Sequence, residues 1–291
     1  MTGALLVAAV VAVGGAVGCQ QGSEAAQRVM DGTSWLAGAA WAGALRTAGD
    51  DGPQQELEST SAVRAQESLP EPAASPTADP LSEPDQVGAL FAGGTQTCTA
   101  SVVDSPGRDL LITAAHCIHG GKDGWYTPDI TFVPGYQNGQ RPYGTWSPQR
   151  MLVDPRWITA ADPDLDVGFI VLKPLHGKHI QDFLGGDTIG VNQGFTNLVR
   201  VSGYPEGASQ PVTCENWTSQ QAAYQVRFDC AGMPDGTSGS PLITGYNPAT
   251  GTGTIVGVIG GYQLGGDTSW VSYSPYFNRH VWTLYQQAIG G

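Results

Sequence analysis

The chain has 291 residues, a formal charge of −13 and only 13% charged residues, with 41 Gly and 20 Pro. The acidity argues against a nucleic-acid partner, and scarce charge with abundant Gly and Pro argues against a helical protein. The length admits one large β domain plus extensions.

Residues 5–17 are almost wholly Ala, Val, Leu and Gly. Thirteen residues are too few to span a bilayer comfortably but suit the apolar core of an export signal. The basic flank that usually precedes such a core is missing, since Met1, Thr2 and Gly3 carry no positive side chain. Ala16-Val17-Gly18-Cys19 resembles a lipobox, in which the cysteine is lipidated after cleavage; an ordinary signal peptide with an incidental Cys19 is the alternative. Residues 1–18 are therefore read as signal-like. The expected location is secreted, with anchoring at the outer face of the membrane through Cys19 as the variant.

Residues 19–85 are different material. Between 20 and 85 there are eleven acids against three bases, −8 of the total −13. Pro alternates with Glu, Ala, Ser, Thr and Asp over 68–84. Such a composition buries too little apolar surface to offset chain entropy, so a disordered tether or pro-segment is expected. The less polar patch at 35–45, WLAGAAWAGAL, reads as a short helix.

The globular domain is expected over 86–291. VGALFAGG, TQTCTASVV and DLLITAAHC read as successive strands broken by Gly-Gly and by Ser-Pro-Gly. DITFVPGY, SPQRMLVD and DVGFIVLKPL follow, and then NLVRVSGYP, AAYQVRFDC, PLITGY, GTIVGVIGGY and, as the last candidate, TSWVSYS. Many short strands with turns between them indicate antiparallel barrels, not a parallel sheet with crossover helices. Val281, Leu284, Tyr285 and Ala288 fall at helical spacing near the end.

Three strings carry chemistry. TAAHC ends at Cys117, DLDVGFIVL begins at Asp164, and GMPDGTSGSP runs over 232–241. A serine hydroxyl needs a base to take its proton and donors for the oxyanion it creates. A tight Gly-Thr-Ser-Gly turn supplies such donors from its backbone. The chain order is His116, Asp166, Ser238, which differs from the orders of subtilisins and α/β-hydrolases. Asp162 and Asp164 compete with Asp166, and a calcium-binding acidic loop is the alternative reading of that cluster. The pairs His116/His119 and His176/His179 lack a third ligand, so no zinc site is read there.

These strings resemble the chymotrypsin-like (trypsin-fold) serine peptidases, most of all the bacterial branch with the glutamyl endopeptidases and actinobacterial trypsin-like enzymes. The resemblance covers roughly 87–288. It implies an all-β fold of two six-stranded antiparallel β-barrels with a C-terminal helix packed on the second. It implies an exported, monomeric serine endopeptidase acting on protein or peptide substrates without a metal or organic cofactor. His116 would be the base, Asp166 its orienting partner and Ser238 the nucleophile. The N–H groups of Gly236 and Ser238 would form the oxyanion hole. Substrate contacts would come from Gly232, Met233, Asp235, Gly260, Gly261 and Tyr262.

Four cysteines besides Cys19 allow three pairings. The resemblance selects Cys98–Cys117, which leaves Cys214–Cys230. Gly232 stands where basic-specific relatives carry aspartate, and Ile259 where glutamate-specific ones carry histidine, so neither specificity is assigned; Asp235 is read as a solvent-exposed turn aspartate, with a place at the pocket rim, favouring cationic substrates, as the alternative. Thr237 stands where trypsin pairs an aspartate with a freed N-terminus, so activation of that kind is not expected. A protease-fold binding protein without turnover is the competing class.

Overall fold

The computed structural model describes residues 75–80 and 86–290. The signal-like segment, Cys19, the patch at 35–45 and most of the acidic stretch lie outside the described residues.

The strands are β1 (Asp79–Pro80), β2 (Val87–Ala92), β3 (Thr95–Val103), β4 (Leu110–Thr113), β5 (Ile130–Pro134), β6 (Pro148–Val153) and β7 (Gly168–Leu172). They continue with β8 (Thr188–Ile189), β9 (Leu198–Gly203), β10 (Val212–Ala222), β11 (Gln225–Asp229), β12 (Pro241–Asn247), β13 (Thr252–Val258) and β14 (Val271–Pro275). Helices α1 (Pro155–Ala160), α2 (Gln181–Leu184) and α3 (Arg279–Ile289) complete the described chain.

Six strands form one antiparallel sheet in the order β5-β2-β3-β4-β7-β6. A two-way backbone bridge between Phe132 and Trp146, at 2.9 and 2.8 Å, ties β5 to the approach to β6 and curls the sheet toward closure. The second sheet runs β14-β11-β10-β9-β12-β13-β8, with β1 added on β10. The expected two-sheet β fold with a C-terminal helix is met. The second sheet differs in counting eight strands instead of six, because β1 and β8 are two-residue additions; β8 pairs with β13 in parallel.

The continuous apolar runs of β4 and β7 have a physical reason. Successive residues on a strand face opposite sides. Leu111, Ile170 and Leu172 join Leu90, Phe132 and Trp146 inside the first sheet's curl. Leu110, Ile112, Phe169 and Val171 join Ile243, Ile255 and Val258 of the second sheet and Val281, Leu284 and Ala288 of α3. Both faces are covered, so both alternating sets are apolar.

Helix α3 shares a core with Ile243, Ile255 and Val258 of the second sheet, as expected. It follows the second sheet in sequence, yet it also packs on β6 and β7 of the first. Arg150 of β6 donates from its guanidinium to the Ala288 carbonyl at 2.7 Å. Its N-cap is Asn278, whose side chain accepts from the His280 N–H at 2.8 Å. A second difference lies at residues 75–80. They fall in the stretch expected to be a disordered tether, but Asp79 and Pro80 pair with Thr213 and Val212 of β10.

Asp187 sits fully buried where the sheets meet. Its backbone bonds with Val102 and Asp104 at the end of β3, and its Oδ1 accepts from the Gly253 N–H at 2.7 Å. Burial pushes the carboxyl up from 3.8 to about 6, against the opposing pull of the Gly253 N–H and the buried Ser101 hydroxyl. A raised carboxyl favours the folded state most when protonated, so the contribution of Asp187 to stability is full below about pH 4 and is lost as pH rises through about 6. Asp187→Asn keeps an acceptor for Gly253 and carries no charge. Denaturant titrations from pH 4 to 8 should show this variant more stable than the parent above pH 6, by on the order of 2 kcal/mol. Parallel pH profiles of the two proteins would refute the assignment.

Candidate active site

His116 lies in a 3₁₀ turn, Ala115–Cys117, that ends β4. Three restraints fix the turn. Cys117 is bonded to Cys98 of β3, with an S–S distance of 2.03 Å. The Thr113 hydroxyl donates to the Thr99 carbonyl at 2.7 Å. Gly168 lets the turn pack close, since a Cβ there would lie 2.7 Å from Ile118 Cδ1. Cys214 and Cys230 form the second disulfide, between β10 and the end of β11.

Asp166 follows a 3₁₀ turn, Pro163–Leu165, and is wholly buried. Its carboxylate accepts from three N–H groups. Oδ1 takes the His116 backbone N–H at 2.8 Å. Oδ2 takes His116 Nδ1 at 2.7 Å and the Gly261 N–H at 2.8 Å. The rivals are engaged elsewhere: Asp162 caps the Asp164 N–H at 3.1 Å, and Asp164 accepts from Gln225 Nε2 at 2.7 Å. The carboxylate bond fixes the tautomer and leaves Nε2 as the free imidazole nitrogen.

Ser238 lines the same cavity as His116. The hydrogen bonds described for His116 run to Asp166 and none to Ser238, and such bonds are commonly long in empty sites. The loop around Ser238 is pinned to both sheets. The Ser238 carbonyl accepts from the Thr99 N–H at 2.8 Å, and the Gly239 N–H donates to the Ile259 carbonyl at 2.7 Å. The Thr99 hydroxyl donates to the Gly236 carbonyl at 3.0 Å. Thr99, unmarked in the sequence, is thus the first sheet's hold on the loop.

Two glycines in the loop are obligatory. Gly236 has φ +90°, and a Cβ would lie 2.3 Å from the Glu206 nitrogen. Gly239 has φ +84°, and a Cβ would lie 2.2 Å from the Thr99 carbonyl oxygen. Neither position tolerates a side chain. Thr237, Gly239 and Ser240 donate their N–H groups within the protein, whereas those of Gly236 and Ser238 have no acceptor among the described residues. Two unspent donors therefore flank the serine.

The cavity has a volume of about 660 Å³. Met233 and Asp235, expected as substrate contacts, line it together with Gly236 and Ser238. Gly232, Gly260, Gly261 and Tyr262 do not. Gly260 and Gly261 instead back Asp166; a Cβ on Gly260 would lie 3.1 Å from its carbonyl oxygen. Tyr262 turns its ring edge-on to Tyr273, with centroids 5.0 Å apart. The far wall is residues 263–269, and Glu206 contributes at the mouth. Gln263 and Leu264 take left-handed backbone angles (φ 52° and 53°), which carry the chain away from the line that strand β13 would continue. The Gly-Gly-Asp turn at 265–267 was the available signal for a wall here. Among the described residues, Cys98, His116 and Cys117 alone group ligand-type atoms within 4.8 Å, but the two sulfurs are bonded to each other.

No family model matches the chain. It is 26% identical over 177 residues to an extracellular metalloprotease of Bacillus subtilis, covering 59% of this chain and 54% of the relative. The chain thus spans about half the length of that relative. Among solved structures it is similar to the protease Anisep from Arthrobacter nicotinovorans, with TM-score 0.66, 24% identity, and coverage of 74% of this chain and 100% of the other. A Glu endopeptidase gives TM-score 0.62 at 16% identity, covering 75% and 99%. Human heparin binding protein gives 0.53 at 14%, covering 74% and 95%. These likenesses establish the chymotrypsin-like fold.

Proposed function

We propose that this chain, which has the chymotrypsin-like fold, is an exported serine endopeptidase. The observation that carries the reading is the buried Asp166 carboxylate holding His116 in one tautomer at the cavity that Ser238 lines. Export is supported by the extracellular relative and the two disulfides.

In this reading, Ser238 Oγ attacks the carbonyl carbon of the scissile peptide and its proton passes to His116 Nε2. The oxyanion is held by the N–H groups of Gly236 and Ser238, a donor pair of which each member is worth about 10²–10³ in rate. The C–N bond then breaks as the imidazolium returns the proton to the leaving amine. Water, activated by the same imidazole, frees the acyl group and restores Ser238. The Asp166 carboxylate keeps the imidazolium oriented and stabilises it.

The cavity lining carries Glu206, Asp235 and Asp267 and no Lys or Arg. Carboxylates around a cleft raise the local concentration of cationic ligands. A peptide panel differing only before the scissile bond should be cleaved at least about tenfold faster with Arg than with Glu, and the ratio should shrink as salt rises to about 0.5 M. A preference for Glu would overturn this selectivity.

The competing class is a protease-fold binding protein, which the likeness to human heparin binding protein brings forward. A cleft lined by carboxylates is a poor fit for a polyanion. No cleavage of any peptide by the folded full chain, with no adduct from an organophosphonate probe, would favour binding without turnover.

A further inference from the structure

The wall that carries Met233 is held from two sides, and one side is made by the segment ahead of the first sheet. Cys230 donates its N–H to the Trp270 carbonyl at 3.0 Å, and Met233 donates to the Ser269 carbonyl at 2.9 Å. Those bonds tie residues 230–233 to the far wall of the cavity. On the opposite side, the Ala78 N–H donates to the Ala231 carbonyl at 2.6 Å, and the Ala231 N–H donates to the Pro76 carbonyl at 2.8 Å. Thr77 and Ala231 form a parallel bridge, and Asp79 and Pro80 continue as β1 on β10. Residues 230–233 are therefore the middle of three backbone plies.

The contact is close as well as bonded. Gly232 has φ +90°, and the Ala78 Cβ lies 3.4 Å from where its Cβ would be. Ala78 packs against the apolar cluster of Val199, Val201, Phe228 and Met233. Met233 lines the cavity, and three residues further on Gly236 presents one of the unspent N–H groups. No other backbone group among the described residues bonds to Ala231.

We infer that residues 75–80 are a positioning element for the Ser238 loop, so the working catalytic unit begins upstream of the first sheet. The inference rests on the proposed peptidase reading for its effect on rate, though not for the contact itself. Without the outer ply, the Ala231 N–H and C=O lose their partners and the wall is held from one side only. Donors must sit within fractions of an ångström of the developing oxyanion, and a displacement of about 1 Å costs on the order of 100-fold.

The test uses the full chain. Ala78→Pro removes the N–H that bonds to Ala231. Ala78→Asp keeps that N–H but sets a charge against the apolar cluster. Lys122→Gln, at an exposed position outside residues 75–80, is the control. Amide exchange at 231–236 should rise in both Ala78 variants and stay at the parent level in the control, with β2–β4 unchanged in all three. kcat/KM should fall about ten- to a hundred-fold in both Ala78 variants, mostly through kcat. Parent-level exchange at 231–236 in both Ala78 variants would overturn the brace. Raised exchange with parent-level kcat would overturn its positioning role. A parent chain without activity would sink the peptidase reading, while the exchange experiment would still decide the brace.

Discussion

Replacing Ser238 by alanine is expected to lower kcat for peptide hydrolysis by on the order of 10⁴- to 10⁶-fold while leaving folding untouched. The size follows from what the side chain does and does not do. Its hydroxyl is half-buried in the cavity and supports no neighbouring group, so its loss opens no packed core. The loop is shaped instead by Gly236, Gly239 and the bonds to Thr99 and Ile259, all of which survive. Alanine removes only the atom that would form the acyl bond. The residual rate is what the donors and the cleft contribute without a nucleophile. Initial rates on a cleavable peptide, with circular dichroism and melting in parallel, decide the matter. A folded variant that keeps even a tenth of parental turnover would refute Ser238 as the nucleophile.

The second large effect is expected at Asp166. The substitution Asp166→Asn changes no volume, yet it leaves one acceptor oxygen where three N–H groups demand two. With the amide nitrogen at the Oδ1 position, it opposes the His116 backbone N–H. With the nitrogen at the Oδ2 position, it opposes both the Gly261 N–H and the imidazole Nδ1–H. The imidazole relieves the second clash by moving its proton to Nε2, the tautomer that cannot accept from Ser238. A fall in kcat of about 10³- to 10⁴-fold is expected, with KM nearly constant. Part of the rate should return at high pH, where the serine proton is lost more readily. A kcat within tenfold of the parent would show that this carboxylate does not orient the histidine.

Legibility differed with the range of the interaction. The turn holding His116, the start of β7 after Asp166 and the Ser238 loop are each specified by contiguous residues. Glycines such as Gly236 and Gly239 leave a local signature because the backbone there admits no side chain. The alternating sheets were legible for a similar reason, since strand periodicity is written every second residue. The cavity's far wall was not. Gly260, Gly261 and Tyr262 were expected to touch substrate, but the path of the chain after Ile259 turns on the left-handed angles of Gln263 and Leu264, which residue type does not announce. The placement of residues 75–80 was hidden by their surroundings: a Pro-rich acidic stretch reads as tether, whereas the bonds that order six of its residues are made to Ala231 and β10, more than a hundred positions away. Thr99 left no mark for the same reason, its partners Gly236 and Tyr204 being distant in sequence.

The position of α3 has a consequence for the order in which the protein comes into being. The helix is translated after both sheets, yet its apolar face closes over Phe169 and Val171, and its Ala288 carbonyl receives Arg150 from β6. The first sheet, though complete in sequence by Leu172, therefore waits for more than a hundred further residues before its outer face is sealed. Contacts of such separation form late, because the intervening loop must close first. His116 and Asp166 are in hand early, Ser238 arrives with the second sheet, and the strap that fastens one sheet to the other comes last. A growing chain thus carries His116 and Asp166 long before it carries Ser238, and the outer face of the first sheet is covered only once α3 has been made.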